Sequence, residues 1–317
     1  MSAISLGGAA ALRREAPRSR WRVALVAFAA PPLAYLVLWK IVPLLYTIYL
    51  SFTAWNPLRR PQPLFIGIAN YVQAFEDTQF LQALLRTLLF TAGASVLELM
   101  LGLGFALLLD AKIRGGSFIR SLVLLPIVIA PAVVGTIWYM LFHDTIGPIA
   151  WLSRAVGLDI GWLRDPNIAM FSILLTDLWH WTPFMFLILL SGLQVIPREL
   201  YEAAAMDGAG AWATFRHVKL PLLKAAMLGA LVLRSMDAFR IFDEIMLMTG
   251  GGPGDATTTT SVLIYRNAFK AFQLGYSSAL VVVLLVVTAV LYLAYMRLVQ
   301  TDGSVAASAK PRTTETK

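Results

Sequence analysis

The chain has 317 residues, 58% of them hydrophobic and only 14% charged, with a formal net charge of +8 and no cysteine. The charge content is well below the ~25% of soluble domains, and the lack of cysteine excludes disulfides, thiolate catalysis and thiolate metal sites. The apolar residues gather in blocks near the ~20 residues that a bilayer core requires. The positive excess therefore reads as orientation of membrane segments, and nucleic acid is not an expected partner.

Arg13, Arg14, Arg18, Arg20 and Arg22 precede the first apolar block, about Val23 to Tyr46. That block is longer than a signal-peptide core and lacks a small-residue cleavage site, so it is expected to stay as a span. Further blocks follow at about Leu84 to Leu109, Phe118 to Phe142, Ile168 to Leu193, Ala225 to Met248 and Tyr276 to Met296. The predicted fold is an all-α integral membrane protein of six transmembrane helices. With the N-terminus in the cytoplasm, the inner segments hold sixteen Lys and Arg and the outer ones seven. This asymmetry predicts both termini inside. It divides the chain into a basic tail (1–22), a first span with its outer loop (23–80), a core (81–299) with a cytoplasmic loop at 194–224, and a C-terminal tail (300–317). The ends before Arg18 and after Thr301 are expected to be disordered.

The outer loops carry turn and extended-chain signals. The first holds Trp55, Asn56-Pro57, Pro61 and Pro63, and the second holds Gly147-Pro148, Trp151, Trp162 and Asp165-Pro166. In the third, Gly250, Gly251, Gly252 and Pro253 read as a turn that contacts an external partner. This glycine run is not a phosphate loop, because no GxxxxGKS/T and no Gly-Lys pair occurs in the chain. His143, His180 and His217 are too scattered to argue a metal site. With no nucleophile–base or metal constellation apparent, no catalytic residue is assigned.

Ionisable groups inside spans are costly and should face a pore or one another. They are Lys40, Glu98, Asp177, His180, Arg234, Asp237, Arg240, Asp243 and Glu244. Lys40 can snorkel to an interface. Arg240, Asp243 and Glu244 have the spacing of an intrahelical salt bridge. In the fourth span, Asp177, Trp179, His180, Trp181, Thr182 and Pro183 cluster. Carboxylates and aromatic faces of this kind suit sugar hydroxyls and C–H surfaces, and Pro183 is expected to break the helix locally; an aromatic belt with a kink fits equally well. Arg234 and Asp237 are three apart and suited to pair, although Arg234 could instead meet an anionic substrate.

Between the fourth and fifth blocks lies the run Glu202 to Pro221. Pro197 is expected at the first helical position with Glu199 in the first turn. Glu202 shares the Glu199 face, and Ala203, Ala204 and Ala205 favour helix while keeping bulk low. Asp207-Gly208 supplies a stop. A second helix is expected over Ala211 to His217, ended by Leu220-Pro221. This spacing resembles the EAA loop of the membrane subunits of bacterial binding-protein-dependent ABC importers. The matching positions are Glu202, Ala203, Ala204, Gly208, Val218, Leu220 and Pro221. The resemblance extends to Phe242-Asp243-Glu244-Ile245, Thr249-Gly250-Gly251-Gly252-Pro253 and Gly275-Tyr276-Ser277-Ser278-Ala279, which look like the carbohydrate and glycerol-phosphate subfamily.

The resemblance implies the type I importer permease fold in a bacterial inner membrane. The loop, Asp207 included, would dock on a cytoplasmic ATPase. Glu202 would meet a basic residue there, with the alanines packed in its cleft. The ATPase, not this chain, would bind ATP and Mg. The resemblance also implies a second homologous permease and a periplasmic or lipid-anchored binding protein. The expected cargo is a disaccharide, oligosaccharide or polyol, with Asp177, Trp179, His180, Trp181, Arg234 and Asp237 as candidates for its pathway. A glycerol-phosphate-type anion is the alternative cargo. A stand-alone secondary transporter is the alternative function, but it leaves the Glu202 loop unexplained.

Overall fold

The computed structural model describes residues 18–111 and 115–308, with side chains over 27–111 and 115–297. Arg13, Arg14, Lys112, Arg114, Lys310, Arg312 and Lys317, which enter the charge count, lie outside the described residues.

The described residues start with α1 (Arg18–Leu36), a π-helical turn (Val37–Ile41) and α2 (Val42–Ser51), which form one long rod. Proline explains the π turn. Pro43 has no N–H to donate and its ring crowds the preceding turn, so the helix widens just before it and Val42 N–H donates to Val37 O. A two-stranded antiparallel hairpin, β1 (Thr53–Ala54) and β2 (Leu64–Phe65), leads to α3 (Ala69–Glu76). Next comes α4 (Thr78–Asp110), whose N-cap Asp77 accepts from the Gln79 and Phe80 amides.

The third apolar block is not one helix. It divides into α5 (Gly116–Leu124) with a 3-10 turn (Pro126–Val128), and α6 (Pro131–Phe142), bent by 99°. Ala130 precedes Pro131 and is held extended at ψ 139, as the pre-proline clash requires. A short outer helix, α7 (Pro148–Ala155), precedes α8 (Ala169–Val195). The expected break at Pro183 does not occur: α8 runs through it, with Pro183 buried in the helix–helix packing.

The loop that follows holds α9 (Arg198–Met206) and α10 (Ala211–Thr214). Pro197 is the N-cap residue, one position before the expected place. Nor does Leu220-Pro221 end the second helix. The chain winds on through a π turn (Phe215–Lys219) into α11 (Leu220–Ala238), and Leu220 N–H donates to Phe215 O. The device is that of Pro43: the wider turn precedes Pro221 and accommodates its missing donor. The fifth block breaks after Ala238 and resumes as α12 (Asp243–Met248), with Asp243 and Glu244 in the first turn, where acidic groups favour a helix start. Then come α13 (Thr260–Tyr265), a π turn (Arg266–Lys270) and α14 (Leu274–Ser308), which carries helix past Thr301 where a disordered tail was expected.

Among the described residues, four helices are thus long and apolar enough to cross a membrane, five if the bent pair counts as one. The six uninterrupted spans expected from the blocks reduce to four continuous helices and two broken segments. The broken segments are where prolines or ionisable groups interrupt apolar sequence.

α4 and α8 form the most extensive helix pair. Their core joins Leu99, Ala106 and Leu109 to Met185, Phe186, Leu189 and Leu193. Gly102 permits the approach, because a Cβ there would lie 2.6 Å from Met185 Cβ. Gly102→Val is therefore expected to lower stability by about 1–3 kcal/mol through overpacking. Thermal unfolding in detergent measures this, against Gly93→Ala, whose added Cβ would meet nothing within 4 Å.

Candidate functional site

Between α4, α8 and α11 the fold buries one cation among carboxylates. Arg234 is 1% exposed. Its Nε donates to Glu98 Oε2 at 2.6 Å and its Nη2 to Glu98 Oε1 at 2.9 Å, a bidentate fork. Nη2 also donates to Asp177 Oδ2 at 2.5 Å, and Nη1 donates to Asp237 Oδ2 at 3.1 Å. Four of its five N–H donors are thereby used. The guanidinium also lies over the Trp181 ring, 4.9 Å from its centroid. A charge in an apolar bundle is tolerable only with such pairing.

One side of this cluster borders a cavity of about 250 Å³. Its ionisable walls are Asp177, Asp237, Asp243 and Glu244 against Arg234 and Arg240, so carboxylates outnumber cations two to one. The Trp181 ring also faces it. The helical period explains which members of the fourth-block cluster reach it. Asp177 and Trp181 are four apart and share a face, whereas Trp179 is about 200° round from Asp177. Trp179 is 41% exposed and packs edge-on against Trp138. His180 is buried and braces the two broken segments: Nε2 lies 3.0 Å from Ile129 O at the bend, and Nδ1 lies 3.4 Å from Glu244 Oε1 on α12.

At the Asp110 end of α4 sits the Glu202 loop. α9 closes in a Schellman motif: Gly208 adopts φ +73, its N–H donates to Ala205 O, and Ala209 N–H donates to Ala204 O. Glu202, Ala203, Asp207 and Gly208 are exposed, and Ala204 is half-buried. Met206 and Trp212 are 88% and 70% exposed. Val218 and Leu220 are half-buried and Pro221 is exposed. The base of the loop is tied to α4 by Lys219, which reaches Asp110 at 3.4 Å and lies over the Tyr201 ring. Burial, and then the Asp110 carboxylate, pushes the Tyr201 phenol above its ordinary range.

At the opposite end, the glycine run is knotted to the threonines after it. Gly250 and Gly251 take φ +61 and +93. Their carbonyls accept from Arg266 Nη2 (2.7 Å) and Thr258 Oγ1 (2.9 Å), and Gly252 O accepts from Thr257 Oγ1 (2.8 Å). A hydrogen bond from Arg266 holds the Asp255 carboxyl below its usual range. Gly251 is buried, while Gly252 and Pro253 border a separate cavity of about 400 Å³.

Residues 98–301 match the family model described as binding-protein-dependent transport system inner membrane component. The chain belongs to this family. Among relatives of this permease, the trehalose/maltose transport system permease protein MalF of Thermococcus litoralis is 36% identical over 81% of this chain and 91% of its own. The sulfoquinovosyl glycerol transport system permease protein SmoG of Agrobacterium fabrum is 36% identical over 88% and 90%. The fold matches a crystal structure of a bacterial ABC transporter for the acidic polysaccharide alginate. The TM-score is 0.77 at 20% identity, covering 90% of this chain and 96% of that one. This is the type I importer permease fold, a transport subunit with membrane-embedded helices.

The permease core brings four of the six expected pathway residues, Asp177, Trp181, Arg234 and Asp237, to one cavity. Trp179 and His180 do not line it. Arg240 pairs back to Asp237 at 3.9 Å, and Glu244 turns to His180, so the expected Arg240–Asp243–Glu244 intrahelical bridge gives way to these contacts. Glu98 and Arg234 were each visible as costly intramembrane charges, but they lie 136 residues apart and nothing in the sequence signalled that they pair.

Proposed function

We propose that this permease subunit carries a sugar or related polyol inward across a bacterial inner membrane, with both termini cytoplasmic. Its two broken segments complete the six crossings. The carrying observation is the cavity lined by Asp177, Asp237 and Trp181, in which acceptor oxygens and an aromatic face stand together. Carboxylates accept from sugar hydroxyls, and an aromatic face covers C–H surface. The Glu202 loop, exposed at the other end of α11, docks on a cytoplasmic ATPase that binds ATP and Mg. A second homologous permease completes the pathway, and a periplasmic or lipid-anchored binding protein delivers the ligand, with Gly250 to Pro253 as one contact. The relatives' sugar substrates and the alginate importer's architecture support this reading.

An anionic ligand held by Arg234 fits less well. The guanidinium has one unused N–H, and the carboxylates around it repel a second anion. Trp181→Ala and Asp237→Asn are each expected to cut ATP-driven uptake about tenfold, the loss of roughly 1.4 kcal/mol of binding. Yield of the assembled complex should not change. Uptake at wild-type rate in both variants would remove this cavity from the pathway.

A further inference from the structure

No residue of α9 is fully buried, and Tyr201 is the α9 side chain that packs against the α4–α8–α11 core. It is half-buried, whereas its neighbour Glu202, about 100° round the helix, is exposed. α9 thus turns one face outward and holds the bundle with another. The Tyr201 hydroxyl is buried and has no hydrogen-bond partner among the described residues, so the ring makes the contact.

Over that ring lies Lys219 Nζ, 5.4 Å from the centroid. The same ammonium donates to Asp110 Oδ2 at 3.4 Å. Asp110 is the last residue of α4, and Lys219 closes the π turn that leads into α11. Three elements, α9, α4 and α11, therefore meet on one ammonium. The two long helices meet again deeper in the bundle. There Glu98 of α4 pairs with Arg234 of α11, about 18 Å along the helix from Asp110 and about 22 Å from Lys219. α4 and α11 are thus pinned by ion pairs at two levels, one against α9 and one beside the cavity that Asp177, Asp237 and Trp181 line.

We propose that Tyr201, Lys219 and Asp110 are positioning residues, the joint that carries displacement of α9 into α4 and α11 and through them to the Glu98–Arg234 cluster at the cavity. The inference rests on the importer reading above. It adds the link that lies behind the docking face, and none of the three residues is among the matched positions of the loop. The ion pair holds α11 to α4, and the ammonium over the ring makes α9 travel with both. Without the joint, α9 hangs on its chain connections at Pro197 and Gly208–Gly210 and moves apart from the bundle.

The test places spin labels at Met206→Cys on α9 and Leu89→Cys on α4, which are 88% and 64% exposed in a chain that has no other cysteine. The complete importer is assembled in nanodiscs. The label separation is measured without nucleotide and with ATP plus vanadate, and ATP hydrolysis is read on the same sample. In the labelled chain with the joint intact, the separation is expected to stay constant, because α9 carries α4 with it. In Lys219→Met and Tyr201→Ala, hydrolysis should persist while the separation shifts by about 2 Å or more, the scale of helix displacements at such interfaces. Asp110→Asn, which removes the ion pair and leaves the ring contact, should shift it less. Lys219→Arg and Tyr201→Phe keep the cation and the ring, and should behave as the intact joint does. A constant separation in every variant, or the same shift with the joint intact, overturns the joint and leaves the importer reading standing. Loss of hydrolysis at constant separation also overturns it, since the residues then serve docking. If no ATPase subunit assembles with the chain, the importer reading falls and the joint with it.

Discussion

Arg234→Leu is expected to destabilise the folded chain by about 3–5 kcal/mol, the usual cost of removing one partner from a buried ionic cluster. The substitution strips Glu98 of both its charge-assisted hydrogen bonds and Asp177 of its cationic partner, while both carboxylates stay 1% exposed or less. Arg234→Lys should give an intermediate loss, since a single ammonium cannot reproduce the fork that grips Glu98. Glu98→Leu combined with Arg234→Leu should recover part of the loss by removing one orphaned charge together with its partner. Thermal unfolding of the detergent-solubilised chain reads all three. An Arg234→Leu variant as stable as wild type would mean that the cluster is not what holds α4, α8 and α11 together at this level. Because Asp177 and Asp237 border the cavity, the same variant should also abolish uptake.

Gly208→Pro is expected to reduce ATP-driven uptake to background while leaving the chain inserted and its membrane bundle intact. Gly208 holds φ +73 and donates its N–H to Ala205 O. Proline fixes φ near −65° and has no N–H, so it loses both features at once and turns the end of α9 away from its present direction. The residues of α9 face solvent or are half-buried, so the damage stays local to the loop. Glu202→Lys should give the same loss by charge reversal without disturbing the helix end. ATP hydrolysis measured beside uptake distinguishes a broken link from a broken bundle. Wild-type uptake by either variant would sink the coupling role of the loop.

Much of this was legible in the chain because local physics writes itself into local sequence. The apolar blocks that became α1–α2, α4, α8 and α14 carry few ionisable residues and span a bilayer's thickness, so block and helix coincide. Asp207-Gly208 marked the end of α9, since only a residue tolerant of positive φ closes a Schellman turn there. The Arg234–Asp237 pair followed from its spacing of three. Other features depended on the fold. Glu98 and Arg234 meet only where α4 packs against α11, 136 residues further along the chain. Proline was ambiguous: the chain bends by 99° just before Pro131, α8 continues unbroken through Pro183, and Pro43 and Pro221 are absorbed by π turns. The outcome depends on whether neighbouring backbone can re-pair the freed carbonyl, which the sequence does not record. The Trp55–Asn56 segment read as a generic outer loop, because its partners Gly275 and Ala271 arrive from the far end of the chain.

The proposed pathway is powered from outside this chain, through the loop at α9. The chain contains no cysteine, so a single Met206→Cys in the exposed end of α9 gives an unambiguous crosslinking site. The most direct measurement is crosslinking from that position in the native-like complex, with uptake followed in the same vesicles. The expected result is an adduct with an ATPase subunit, uptake that requires ATP, and loss of uptake once the adduct forms. Sugar uptake by vesicles that contain this chain alone, without an ATPase subunit or ATP, would contradict it.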